Sequence, residues 1–194
     1  MNAVLHDPLV LPADLPVPVD DGAARHLVGM AWPDLALPAT DGSSVNLSDV
    51  RGRTIVYAYP RTGRPGEALP TGWDAIPGAR GCTPQSCGFR DHFAALKDLG
   101  VAQLYGLSTQ ERADQREVAE RLHLPFALLS DARLEIQRGL RLPTFTVEGM
   151  TLLKRLTVVV DDGIITKVFY PVFPPDRSAA EVAAWLREAQ STSA

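Results

Sequence analysis

The sequence predicts an α/β domain, a mixed central sheet flanked by helices, behind an extended N-terminal arm. Three observations carry that prediction. Thr54-Ile55-Val56-Tyr57-Ala58-Tyr59 and Leu156-Thr157-Val158-Val159-Val160 are runs rich in β-branched and aromatic residues, the composition of buried strands. Between them strand-like and helical stretches alternate, the pattern of helices packed on a sheet. The last strand-like pair folds back through Asp161-Asp162-Gly163, a hairpin turn, which makes the sheet mixed. A chain of 194 residues is long enough for one well-buried domain and short for two.

Residues 1–26 are rich in Pro and Asp and lack any period, so they read as the arm, ordered only where it docks; residues 27–194 form the domain. Leu35-Ala36-Leu37-Pro38 and Val45-Asn46-Leu47 flank the polar turn Thr40–Ser44 and suggest a small hairpin. The strand at Thr54–Tyr59 stops at Pro60, which has no N–H to give to a ladder. Residues 61–81 carry five Gly and three Pro before Cys82, a loop longer than compact domains usually tolerate without use. After it a helix is expected, with Thr83 as N-cap, Pro84 at the first helical position, and Phe89, Phe93 and Leu96 forming one buried stripe. Val101–Leu107 reads as the next strand, and Ser108-Thr109-Gln110-Glu111 as a capping box opening a helix to about Leu122. Phe126–Leu129 is a short strand. Ile164–Tyr170 completes the terminal hairpin, and Ser178-Ala179-Ala180-Glu181 caps a final helix.

Composition narrows the function. A net charge of −4 argues against broad contact with a phosphate backbone, so no nucleic-acid partner is expected. No run approaches the roughly 20 apolar residues of a membrane span, and Asp7, Pro8 and Pro12 interrupt any leader-like stretch, so a cytoplasmic location is expected. Nucleotide-binding and serine-hydrolase motifs are missing, and no cofactor is expected. The two cysteines, Cys82 and Cys87, are too few for a disulfide scaffold, and a bridge between them would close too short a loop to stabilise much. Zinc would need two more ligands, for which only His92 and His123 offer themselves, without the usual tight spacing. The solvated charges Glu111 to Arg121 read as a helix face with i,i+4 pairs.

The informative run is Gly81-Cys82-Thr83-Pro84-Gln85-Ser86-Cys87-Gly88-Phe89-Arg90-Asp91. Cys82 lies at a predicted helix start, where free N–H groups and the positive dipole end favour a thiolate, the nucleophilic form. This run, with Tyr57-Ala58-Tyr59-Pro60 and Arg155-Leu156-Thr157, resembles the PrxQ (bacterioferritin comigratory protein) branch of the peroxiredoxins over roughly residues 30 to 188. The resemblance implies a thioredoxin-like fold and a thiol-dependent peroxidase acting on hydrogen peroxide or organic hydroperoxides. Cys82 would become a sulfenic acid, Cys87 would condense with it to a disulfide, and a thioredoxin-like reductant would reopen the bridge. It also implies that Arg155 holds the Cys82 thiolate and orients the peroxide, in a monomer or homodimer.

The family pattern Pro-x-x-x-Thr/Ser-x-x-Cys is interrupted here. The residues seven and three before Cys82 are Ala75 and Ala79, so Pro60 takes the place of the motif proline and about fifteen residues are inserted after Pro65-Gly66. Arg64 then falls where the family has its hydroxyl residue. Thr62 or Thr71 is expected to supply the hydroxyl, Tyr59 to wall the pocket, and residues 67–80 to form a flap over it. Two other functions remain open: a thiol–disulfide oxidoreductase, against which the four residues between the cysteines argue, and a non-enzymatic redox sensor.

Overall fold

A computed structural model describes residues 11–192; the first ten residues of the predicted arm lie outside them. In chain order the strands and helices are β1 (Leu37–Pro38), β2 (Ser44–Val45), β3 (Arg53–Ala58), α1 (Cys82–Asp91), α2 (Phe93–Asp98), β4 (Val101–Ser108), α3 (Arg112–Arg121), β5 (Leu128–Ser130), α4 (Glu135–Leu140), β6 (Thr144–Val147), β7 (Met150–Leu153), β8 (Leu156–Asp161), β9 (Ile164–Phe169) and α5 (Ser178–Thr192). The central sheet has the order β5-β4-β3-β8-β9. β3, β4 and β5 run parallel, and β8 and β9 are antiparallel to their neighbours. The expected mixed sheet is present, and its topology is thioredoxin-like.

The period of two along β3 divides the core between the two faces. Val56 and Ala58 face a cluster with Leu27, Trp32, Ile136 and Leu140. Ile55, Tyr57 and Tyr59 face another with Cys82, Phe89, Leu96 and Leu186. The face that carries both tyrosines is therefore the one on which α1 lies. Gly106 on β4 is obligatory here: a Cβ would stand 2.5 Å from Leu128 and 2.7 Å from the Tyr57 ring.

Three expected helix starts differ. α1 begins at Cys82, not after Thr83, because Gly81 takes the cap with φ +100°, a conformation that favours glycine. A Cβ at Gly81 would also meet Pro175 at 2.3 Å. α3 begins at Arg112 with extended Glu111 as its cap; Ser108 ends β4 and its Oγ accepts from Gln110 N and Gln115 Nε2. At α5, Ser178 is already helical, and its Oγ pairs with Gln85 and Thr157 rather than capping. The Phe89/Phe93/Leu96 stripe is kept, but the helix is interrupted at His92, whose ring bonds the Gly88 carbonyl at 2.9 Å.

The hairpin β6–β7 and helix α4 were not expected. α4 has only six residues, and its start is held by Asp131, whose carboxylate accepts from the N–H groups of Glu135, Ile136 and Gln137. The β6–β7 hairpin turns at Glu148-Gly149 and supports the long loop after β3: Trp73 and Ala79 pack with Val147 and Leu152 in a small core of their own. Residues 11–24 form no strand or helix, and Asp21 ties this stretch to the body through Lys154 Nζ (2.7 Å) and Tyr170 Oη (2.8 Å).

Candidate active site

Two elements meet at Cys82. The register of β3 with β8, Ala58 opposite Leu156, sets the link Lys154-Arg155 at the carboxyl end of β3. The loop 61–81 returns the chain to the same end, where α1 starts. Cys82 and Arg155 come together there, 73 residues apart in sequence, with 4% and 3% of their surfaces exposed.

Arg155 Nη2 donates to Cys82 Sγ at 3.2 Å and to the carbonyls of Arg80 (3.1 Å), Ala79 (3.3 Å) and Gly78 (3.3 Å). Nη1 donates to Gln85 Oε1. Gln85 is itself buried, and its Nε2 donates to Ser178 Oγ, which meets Thr157 Oγ1 at 3.2 Å. This buried chain fixes the plane of the guanidinium. Among the described residues no ion pair involves Arg155, and its Nε has no hydrogen-bond partner. A buried cation without a carboxylate costs several kcal/mol unless an anion compensates it. The ionisable group within its reach is the Cys82 thiol, 3.2 Å away at the amino end of α1. When protonated, Cys82 faces the Ala79 carbonyl at 3.7 Å.

Cys87 is placed differently. It lies inside α1, half-buried against the apolar cluster, and burial pushes its thiol above the ordinary value while Arg90 pulls the other way. It is therefore a thiol at neutral pH.

A cavity of about 20 Å³ opens on Cys82 and is lined also by Arg61, Thr62, Leu69, Trp73 and Arg80. Thr62 is buried, and its N–H and hydroxyl both donate to Gln110 Oε1, at 2.8 and 3.3 Å. Thr71 is exposed, with its N–H on Glu148, and Arg64 pairs with Asp114 at the surface. Pro60 is buried at the end of β3 and Tyr59 packs in the cluster that holds Cys82, but neither lines this cavity. The Tyr59 hydroxyl accepts from Gln115, and burial holds both the Tyr57 and Tyr59 phenols well above their ordinary range. Both therefore stay protonated at neutral pH. His92 is engaged with Gly88, and no three His, Cys, Asp or Glu side chains among the described residues are grouped to hold a metal. No described helix is long and apolar enough to cross a membrane.

Sequence reasoning missed Gln85, Ser178 and the Gly78–Arg80 carbonyls. Gln85 had a signal: three residues beyond Cys82 on a helix, it shares the face of Cys82. The carbonyls had none, since any residue supplies them. Chemically the arrangement is a thiol held beside a fixed cation, with a second thiol on the same helix.

The Redoxin family model matches residues 27–184. Over 155 residues the chain is 32% identical to peroxiredoxin Q, chloroplastic, of Oryza sativa subsp. japonica, covering 79% of this chain and 63% of that protein. The chain thus spans less than two thirds of the length of that relative. It is 33% identical over 161 residues to peroxiredoxin Bcp of Escherichia coli (strain K12), covering 80% of this chain and 92% of the relative. Among solved structures, peroxidoxin BcpB from Mycobacterium tuberculosis superposes with a TM-score of 0.65 at 26% identity, covering 83% of this chain and 96% of that one.

Proposed function

We propose, because this chain belongs to the redoxin family as a peroxiredoxin of the Q/Bcp type, that it is a thiol-dependent peroxidase with Cys82 as the attacking group. The observation that carries this is the 3.2 Å contact of Arg155 Nη2 with Cys82 Sγ, made by a guanidinium with no carboxylate partner among the described residues. A cation that keeps its proton favours the thiolate and then stabilises charge on the leaving oxygen. The thiolate sulfur attacks one peroxide oxygen and the O–O bond breaks. Sulfur keeps the attacked oxygen as sulfenic acid, and the other oxygen leaves as hydroxide or alkoxide, which takes up a proton to become water or an alcohol.

Cys87 then attacks the Cys82 sulfur, water leaves, and an intramolecular disulfide forms. A dithiol reductant of the thioredoxin class returns both thiols, becoming a disulfide itself. A reducing compartment such as the cytoplasm suits this cycle. The condensation requires α1 to open. In an ideal helix residues five apart have Cα atoms roughly 8–9 Å apart, and a disulfide needs about 7 Å or less. Cys82 and Cys87 are both inside α1, so bridge and intact helix exclude each other.

Stopped-flow oxidation of the reduced protein by hydrogen peroxide, with the product identified by mass, tests the activity. A Cys82 that stays reduced at excess peroxide removes it.

A further inference from the structure

We infer that the insertion between β3 and α1 is a size filter, in which Leu69 and Trp73 hold the Cys82 cavity to the dimensions of hydrogen peroxide and exclude hydroperoxides carrying a bulky alkyl group. The inference rests on the peroxidase reading and names the substrate within it. Its first support is volume. The cavity on Cys82 measures about 20 Å³, little more than the ~10–15 Å³ that one water requires. A bulky carbon substituent placed beside Cys82 would have to displace Leu69 or Trp73, which line the cavity.

The second support is that the lid is built in. Trp73 is 4% exposed, and its ring lies 6.0 Å from that of Phe145 on β6. Ala79 is fully buried in the same small core with Val147 and Leu152. Thr71 N–H donates to Glu148 Oε1 at 2.9 Å, and Arg80 pairs with Asp74 at 2.8 Å. Displacing Trp73 would expose this core to water, so widening the cavity is unfavourable. The third support is the position of a larger apolar cavity. A larger cavity of about 340 Å³, lined by Ile76, Phe145 and Val172 among others, lies across Arg155, and Cys82 is not in its wall. Arg155 and its carbonyl partners at Gly78–Arg80 stand between.

The test compares second-order rate constants for Cys82 oxidation by hydrogen peroxide and by cumene hydroperoxide, read by mass on quenched samples. The intact protein is expected to favour hydrogen peroxide by at least about tenfold, and Trp73→Ala and Leu69→Ala each to narrow the ratio by about tenfold. Circular dichroism accompanies both variants; if Trp73→Ala loses its fold, the milder Leu69→Ala decides. Equal rates in the intact protein, or a ratio unmoved in a folded Leu69→Ala variant, overturn the filter alone. A Cys82 left reduced by both peroxides overturns the peroxidase reading and the filter with it.

Discussion

Cys82 and Cys87 share one ten-residue helix and have opposite surroundings. The Cys82 end is closed and polar: a guanidinium held by three carbonyls meets the sulfur at the amino end of the helix. Further along, Cys87 rests on apolar side chains, with Arg90 and Arg121 reaching it only through the field and with Asp91 opposing them. The same chemical group thus meets a fixed cation at one place and an apolar bed at the other. The lesson is that position on a helix sets little by itself. What differs is whether the rest of the fold delivers a charge, and β8 delivers Arg155 to one end only.

The sharpest way to break this comparison is to exchange the fates of the thiols. Cys82→Ser is expected to abolish peroxide consumption, whereas Cys87→Ser consumes one equivalent per chain and stops at sulfenic acid; mass spectrometry after one equivalent of peroxide reads both. Oxidation of the Cys82→Ser protein with a fully reduced Cys87→Ser protein would reverse the roles. Next in size is Arg155→Met, which removes the charge and leaves the strand. Peroxide oxidation and iodoacetamide alkylation of Cys82 are both expected to slow by about 10–100-fold, the scale of losing one preorganised charge donor. Unchanged rates would mean that the helix terminus suffices.

The Cys87 side yields a pH test. Its thiol titrates above the ordinary value because burial disfavours the thiolate. The condensation step needs that thiolate, so its rate rises with pH from neutral through the ordinary thiol range and flattens only above it. Stopped-flow fluorescence with Cys82 already oxidised follows this step, and a plateau near neutral pH would show Cys87 to be activated after all. Hydrogen exchange sharpens the same contrast: on oxidation, amides from about Gln85 to Asp91 lose protection while those from Phe93 to Leu99 keep theirs. Equal protection with the bridge in place would mean that α1 does not unwind.

The smallest effect is at Asp21, whose carboxyl is held well below the usual range by Lys154 and then Tyr170. A depressed carboxylate contributes stability above its unfolded value and loses it only as pH falls through its lower folded value. Its tie to the body should therefore survive acidification through the ordinary carboxylate range. Because the pair is largely exposed, Asp21→Asn should cost below about 1 kcal/mol at neutral pH in urea unfolding.

What could be read from the sequence follows from what is local. The β-branched run at 54–58, the Asp162-Gly163 turn and the Gly-Cys-Thr-Pro start of α1 declare themselves within a few residues, because alternation, turn chemistry and the lack of a proline N–H act over that range. Where a hydroxyl had distant partners, local rules failed. Ser108 and Ser178 have the spacing of capping boxes, yet Gln115 in one case and Gln85 with Thr157 in the other engage the oxygen. The six-residue α4 and the β6–β7 hairpin escaped because each is too short for its period to show. The partner of Cys82 was named through family likeness, not through spacing.

By itself the sequence determined that a sheet would form, where its strands run, and that Cys82 would stand at the start of the helix that carries Cys87. Tertiary structure alone decided that those thiols differ. Arg155 reaches Cys82 because β8 pairs with β3 in one register, and Trp73 lines the same cavity because a hairpin seventy residues later gives the insertion a core. Both are contacts between segments far apart in the chain, formed only when burial of the sheet's faces has fixed the register, and no local pattern encodes them.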